Sequence, residues 1–361
     1  MSAAATPAIV PCRYKTGRTL GQGTYAVVKE AVRIETGKRY AVKVINKKLM
    51  EGKESMIRNE IAVLRRISIG HANILTLVDY FETLNNLYLV TELAEGGELF
   101  DRICRKGNYY ERDAANLVRT ICSAVAYLHE QGIVHRGNPE NLLFKTQAED
   151  SELLIADFGL SRIIDQEKFH LLTTTCGTPG YMAPEIFQKH GHGKPVDMWA
   201  LGVITYFLLC GYTPFDRQNS MDEMDAILNA EYQFAPVDYW QGVSETAKSF
   251  INGLLTVDPS RRMTAQEALT HPWLAQSEAP VQQPQEQQQQ SQQPHDQEME
   301  GVEPHDLLPS MMSRIKARTK FRNAVGAVKA LNSMRKKHED LREIHPEEVS
   351  HVLHRGDEDM V

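Results

Sequence analysis

The sequence has no hydrophobic run long enough to cross a bilayer. The longest, Ala200-Leu-Gly-Val-Ile-Thr-Tyr-Phe-Leu-Leu209, is about half the length a spanning helix needs and carries the polar Thr205. It reads as a buried core helix, and no membrane insertion is expected. The N-terminal MSAAATPAIVP has no basic stretch leading into an apolar one, and position 2 is Ser, so neither secretion nor myristoylation is expected. Cysteine is also scarce. The five residues Cys12, Cys104, Cys122, Cys176 and Cys210 are scattered, with no C-x-x-C pair. This excludes a zinc frame of that type and argues against a disulfide scaffold. It fits reduced thiols in a cytoplasmic protein, with the nucleus also open. Cys176 falls in a candidate regulatory loop, where redox sensitivity is conceivable, but the favoured reading is a small apolar residue.

Acidic residues are missing from one place in particular. Residues 314–337 hold nine Lys/Arg and no Asp/Glu, although the whole chain carries a net charge of −7. The remainder is therefore more acidic than the total suggests. A nucleic-acid binder would have a basic main domain, so no nucleic-acid partner is expected. A basic tail on an acidic body suits binding to an acidic partner or to that body itself.

Residues 14–90 contain short strand-like runs, at 41–45 and 87–90, and one helical stretch around 55–67. In that stretch Ile57, Ile61, Leu64 and Arg65 fall at helical spacing. Residues 98–275 are mostly helical in pattern, as at 114–130 and 196–209, with Pro/Gly-rich loops between. A strand-rich lobe followed by a helix-rich lobe is expected, an α+β architecture. Near Pro280 the composition turns to QQPQEQQQQSQQP, which cannot bury a core and reads as a disordered linker. Helical periodicity returns after Pro309 and stops at His345-Pro346.

Gly21-Gln-Gly-Thr-Tyr-Ala-Val-Val28 lies between two strand-like runs, and Gly21 and Gly23 would let backbone amides approach phosphates. Alone, it could be any tight hairpin. It is followed by Tyr40-Ala-Val-Lys43, by Glu60 on the helical stretch, and by Pro139-Glu-Asn141. Asp157-Phe-Gly159, Ala183-Pro-Glu185 and Asp197-Met-Trp199 complete the series. Each has a bland reading as a surface lysine, solvated glutamate or turn aspartate. In this order and spacing they resemble the signature set of eukaryotic protein kinases.

The resemblance implies a two-lobed kinase domain at 14–274, with a small lobe 14–92 and a large lobe 93–274. A flexible N-terminus 1–13 precedes it. A Gln-rich linker 275–308, a regulatory helix 309–344 and a flexible tail 345–361 come after it. It further implies ATP and Mg²⁺ as cofactors. Lys43 would pair with the α/β-phosphates, held by Glu60, and Asn141 and Asp157 would bind the metal. Leu20, Gly21, Gly23, Val28, Ala41, Thr91, Glu92, Ala94 and Glu98 would complete the nucleotide site. Thr91 would be the gatekeeper, Glu92 to Ala94 the adenine-binding hinge, and Glu98 a contact for ribose or a substrate arginine.

Within kinases, Leu93-Ala-Glu-Gly-Gly-Glu-Leu-Phe-Asp101, Thr174-Thr-Cys-Gly-Thr-Pro-Gly-Tyr-Met-Ala-Pro-Glu185 and His271-Pro-Trp273 are similar to the calcium/calmodulin-dependent group. That group implies serine/threonine protein substrates of the Arg-x-x-Ser/Thr type. It also implies an upstream kinase acting at Thr174, whose phosphate could pair with Arg136. In the tail, Phe321, Val325, Val328 and Met334 fall at relative positions 1, 5, 8 and 14 of a basic helical segment. Bulky anchors at both ends of such a helix are what the two lobes of Ca²⁺-calmodulin grip. A membrane-surface helix, or one docked on the protein itself, are the alternatives.

One motif departs from the pattern. The expected loop is H-R-D-L-K-P-E-N, whereas the chain reads His135-Arg-Gly-Asn-Pro-Glu-Asn141. Gly137 and Asn138 stand where Asp, Leu and Lys would be, with one residue lost. The catalytic-base aspartate that would orient the substrate hydroxyl is absent, and Asn138 cannot act as a base near neutral pH. Loss of a base costs ~10²–10⁴ in rate. Loss of one residue removes up to ~3.5 Å of reach, and a ~1 Å displacement near the chemistry can cost ~10²-fold. These losses overlap, and either leaves a very poor phosphotransferase. Two origins are open. One is a calmodulin-binding pseudokinase that acts as a nucleotide-binding scaffold. The other is a flaw in the sequence, since Gly-Asn is encodable by GGT-AAY, as reading a few bases into an intron beginning GTAA would give; genomic sequence across codons 135–139 separates them. Replacing Gly137-Asn138 with Asp-Leu-Lys should raise phosphorylation of an Arg-x-x-Ser peptide by at least ~10²-fold. Equal rates in the two chains would overturn this reading of the loop.

Overall fold

A computed structural model describes residues 13–22, 26–49, 54–135, 141–156, 179–188, 193–275, 305–309 and 311–312. The chain divides into two units, Met1–Ser310 and Met311–Val361. The first contains an antiparallel five-stranded sheet in the order β1-β2-β3-β5-β4. Its strands are β1 (Tyr14–Gln22), β2 (Ala26–Arg33), β3 (Arg39–Asn46), β4 (Leu77–Glu82) and β5 (Asn86–Thr91). The two strand-like runs of the sequence lie inside β3 and β5. One face of the sheet buries Tyr14, Ala31, Tyr40, Val42 and Val90 as a cluster. Tyr14 of one edge strand stacks on Phe81 of the other, and Phe81 on Tyr88.

Helix α1 (Glu54–Ile67) follows β3. Ile57, Ile61 and Leu64 are buried, as their helical spacing predicts. Arg65, which shares that spacing, is exposed. The helix is tied to β4 by Arg58, whose Nε and Nη2 donate to Glu82 at 2.9 and 3.1 Å, with Lys47 2.6 Å from the same carboxylate. The Arg58 hydrogen bond leads in holding the Glu82 carboxyl down at about 2, with Lys47 adding to it. A depressed carboxyl pKa stabilises the fold above its ordinary range, so this clamp is intact at neutral pH and lost as pH falls toward 2.

The large lobe starts with a three-stranded sheet, β6 (Gly97–Glu98), β7 (Leu142–Phe144) and β8 (Leu153–Ile155), in the order β6-β7-β8. Its helices are α2 (Leu99–Ile103), α3 (Glu111–Glu130), α4 (Pro184–Phe187), α5 (Pro195–Cys210), α6 (Ser220–Leu228), α7 (Val237–Trp240), α8 (Glu245–Leu254), α9 (Ala265–Thr270) and α10 (Pro272–Ala275). Helix α5 is apolar on every side and buried throughout from Val196 to Cys210. Such a helix can sit only at the centre of a lobe. Pro195 opens it and Gly211, at φ 83°, closes it. The lone hydroxyl of Thr205 is satisfied within the helix by Leu201 O at 2.7 Å. Among the described residues no helix is long and apolar enough to cross a membrane.

Two polar ties hold the lobe's periphery to α5 and α3. Glu111, the first residue of α3, accepts from Ser244 N at 2.7 Å and from Trp273 Nε1 at 2.8 Å. The tryptophan of His271-Pro-Trp273 thus closes the domain onto the start of α3. Arg262, whose side chain is 0% exposed, makes a two-pronged pair with Glu185 at 2.7 and 3.0 Å. It also donates to Pro195 O at 2.8 Å and lies over the Trp199 ring. Glu185→Ala would leave that guanidinium buried without its carboxylate, at a cost of about 3–5 kcal/mol. Urea unfolding should show a lower midpoint at an unchanged slope. A loss below about 1 kcal/mol, the worth of an exposed pair, would contradict this account.

Candidate active site

Strand register assembles one wall of the site. Gly21 pairs with Val28, Val28 with Lys43, and Lys43 with Leu89, so four strands contribute to one row. Ala41, two residues from Lys43, shares its face and pairs with Thr91. Val42 and Val90 point to the opposite face, into the cluster that includes Tyr14. The alternation of β3 therefore turns Ala41 and Lys43 to one side and its packed valine to the other. Leu20 is exposed on β1 beside Gly21. Glu60 lies in α1, which places it on the element after β3, but its side chain is outside the described residues.

Thr91 ends β5, and the chain then crosses to the large lobe. Glu92 makes a reciprocal pair with Thr76: its N donates to Thr76 O at 3.1 Å, and its Oε1 accepts from Thr76 N at 2.8 Å. Leu93 and Ala94 come next, half-buried. Glu95 N and Gly96 N then donate to Lys145 O and Phe144 O, both at 2.9 Å. A Cβ on Gly96 would come within 2.2 Å of Thr146 O, and Gly97 has φ +81°. Both positions require glycine, which is the physical content of the Glu-Gly-Gly-Glu motif. The crossing sets Glu98 opposite Leu143, two residues from Asn141.

The floor is organised by Asp197, a carboxylate at the start of α5. Its Oδ2 accepts from His135 N at 2.8 Å and from His129 Nε2 at 2.8 Å. His135 Nε2 in turn donates to Ala156 O at 3.1 Å, and Ala156 N donates to Asn141 O at 2.8 Å. Thus His135, which precedes the shortened loop, Asn141, which ends it, and Ala156, which precedes Asp157, are bound together. The loop residues 136–140, including Gly137 and Asn138, lie outside the described residues, as do Gly23, Asp157 and Thr174. So do Phe321, Val325, Val328 and Met334 of the tail. Among the described residues no group of three His, Cys, Asp or Glu is placed to hold a metal.

The sequence reading overlooked His129 and Arg262. Neither belongs to a short motif, and their partners are 68 and 77 residues away. No local spacing signals them. The aspartate of Asp-Met-Trp and the glutamate of Ala-Pro-Glu were the visible halves of each pair.

A family model described as the protein kinase domain matches residues 14–274. The chain is 60% identical over 330 residues to the calcium/calmodulin-dependent protein kinase cmkB of Emericella nidulans, covering 91% of this chain and 78% of that protein. It is 53% identical over 329 residues to the calcium/calmodulin-dependent protein kinase type I of Schizosaccharomyces pombe, covering 91% of both. The human calcium/calmodulin-dependent protein kinase type 1B matches at 48% over 263 residues, 73% of this chain and 75% of that one. With the family model spanning the whole of both lobes, the chain belongs to the protein kinase family, among the kinases named calcium/calmodulin-dependent.

Proposed function

We propose that the chain binds ATP with Mg²⁺ between its lobes and is regulated by Ca²⁺-calmodulin through its tail, as a serine/threonine kinase whose shortened loop limits transfer. The observation that carries this reading is the shared face of Gly21, Val28, Ala41, Lys43 and Thr91. Glycine approaches phosphate, a lysine follows on the third strand, and small or apolar residues line the space for a base. Asn141 and the residue before Asp157 are hydrogen-bonded neighbours, so the two metal-binding side chains would leave adjacent points of the floor. A carboxylate and an amide oxygen suit Mg²⁺, which demands hard oxygen donors and retains waters. When bound, the metal would neutralise charge on the β- and γ-phosphates. Lys43 would hold the α/β-phosphates, Glu92 to Ala94 would position the base, and Glu98 would meet ribose or a substrate arginine. Protein substrates would be of the Arg-x-x-Ser/Thr type, with Thr174 the site of an upstream kinase.

The replacement of Asp, Leu and Lys by Gly137-Asn138 favours a second reading, a nucleotide-binding pseudokinase regulated by calmodulin.

ATP with Mg²⁺ should raise the melting temperature by mass action, by the equivalent of about 2.7 kcal/mol at a hundredfold excess over Kd. Lys43→Met should abolish the shift. No shift at saturating nucleotide in the unsubstituted chain would reject the proposed site.

A peptide spanning 314–337 should bind calmodulin only with calcium, become helical and release on chelation. Phe321→Asp should abolish binding, because it puts a charge where an apolar pocket must close. Equal binding of the parent peptide with and without calcium would mark a generic polycation.

A further inference from the structure

Composition assigns residues 275–308 to a linker, yet the structure seats the last of them on the large lobe. Leu307 N donates to Tyr109 O at 2.8 Å, and Tyr109 N donates to Asp306 Oδ1 at 2.9 Å. The same carboxylate oxygen accepts from Leu308 N at 3.0 Å, so Asp306 shapes its own turn while gripping the lobe. Leu307 and Leu308 are only 2% and 7% exposed. His305 lies over Gly242, where an added Cβ would come within 2.5 Å of the His305 Cβ. The socket is therefore the irregular stretch at Tyr109 before α3 and the Gly242 turn after α7. It meets this segment with two backbone groups, a buried apolar pair and a glycine-sized clearance.

We propose that residues 305–308 are a fixed anchor that fastens the tail to the large lobe, so that the tail starts from one place whatever the length of the Gln-rich stretch. Both ends of 276–304 are then pinned, one at α10 and the other at the socket. Halving a flexible loop changes its closure by only about threefold. The linker thus sets neither the reach nor the direction of the tail. The anchor itself does not depend on calmodulin binding. That calmodulin takes the tail while leaving the anchor seated is a consequence that rests on the function proposed above.

Hydrogen exchange on the full-length chain tests this at single amides. Without calmodulin, the amides of Tyr109 and Leu307 should both be protected. Asp306→Ala should speed their exchange by about tenfold or more, Asp306→Asn, which keeps an acceptor, should largely restore protection, and the α5 amides should be unchanged in both. Rapid exchange at Leu307 in the unsubstituted chain, or no effect of Asp306→Ala, would overturn the anchor. With saturating Ca²⁺-calmodulin, Leu307 should stay protected while exchange slows across 314–337. Loss of protection at Leu307 would show that the clip leaves with the tail and is not fixed. Unchanged exchange across 314–337 would count against calmodulin binding alone, because the calmodulin-free arm reads the anchor separately.

Discussion

A single buried carboxylate organises the lower half of this molecule. Asp197, 3% exposed, receives the backbone of His135 and the ring of His129 on one oxygen. A charge can remain at the heart of a lobe only when donors converge on it. Here they come from the end of α3 and from the entrance of the catalytic loop. The His135 ring then passes the constraint to Ala156 O, and Ala156 N to Asn141 O. The positions at which the chain enters and leaves 136–140, and at which it enters Asp157, are set by this relay.

That rigidity makes the shortened loop consequential. If the ends of 136–140 were free, one missing residue could be absorbed by a shift of the flanks. His135 is held by a carboxylate on the most buried helix of the lobe, and Asn141 is held through Ala156. The other described parts of the site rest on separate elements. The row through Gly21, Val28 and Lys43 rests on strand pairing in the other lobe, and the crossing through Gly96 and Gly97 rests on β7.

The large lobe also fixes where the chain beyond it begins. Glu111 binds Trp273 at the end of the domain, and two residues earlier Tyr109 receives the returning chain at Asp306 and Leu307. The start of α3 and the residues just before it thus hold the end of the domain and the residues after the Gln-rich stretch. A polar, low-complexity insertion can be placed between two such fastenings with little energetic consequence, since loop closure depends only weakly on length.

Legible in the order of the amino acids was whatever repeats or recurs locally. The alternation in β3, the helical spacing of Ile57, Ile61 and Leu64, and the all-apolar run of α5 follow from the geometry of strands and helices. The ordered kinase motifs identified the domain and showed where Gly137-Asn138 departs from their pattern, because each motif is a few adjacent residues. The partnerships across the chain emerge on folding. His129 meets Asp197, Arg262 meets Glu185, and Asp306 meets Tyr109 from 197 residues away. The last case lies at the end of the Gln-rich stretch. Asp-Leu-Leu carries no periodicity in so short a stretch, and its order comes from a socket built by other parts of the chain.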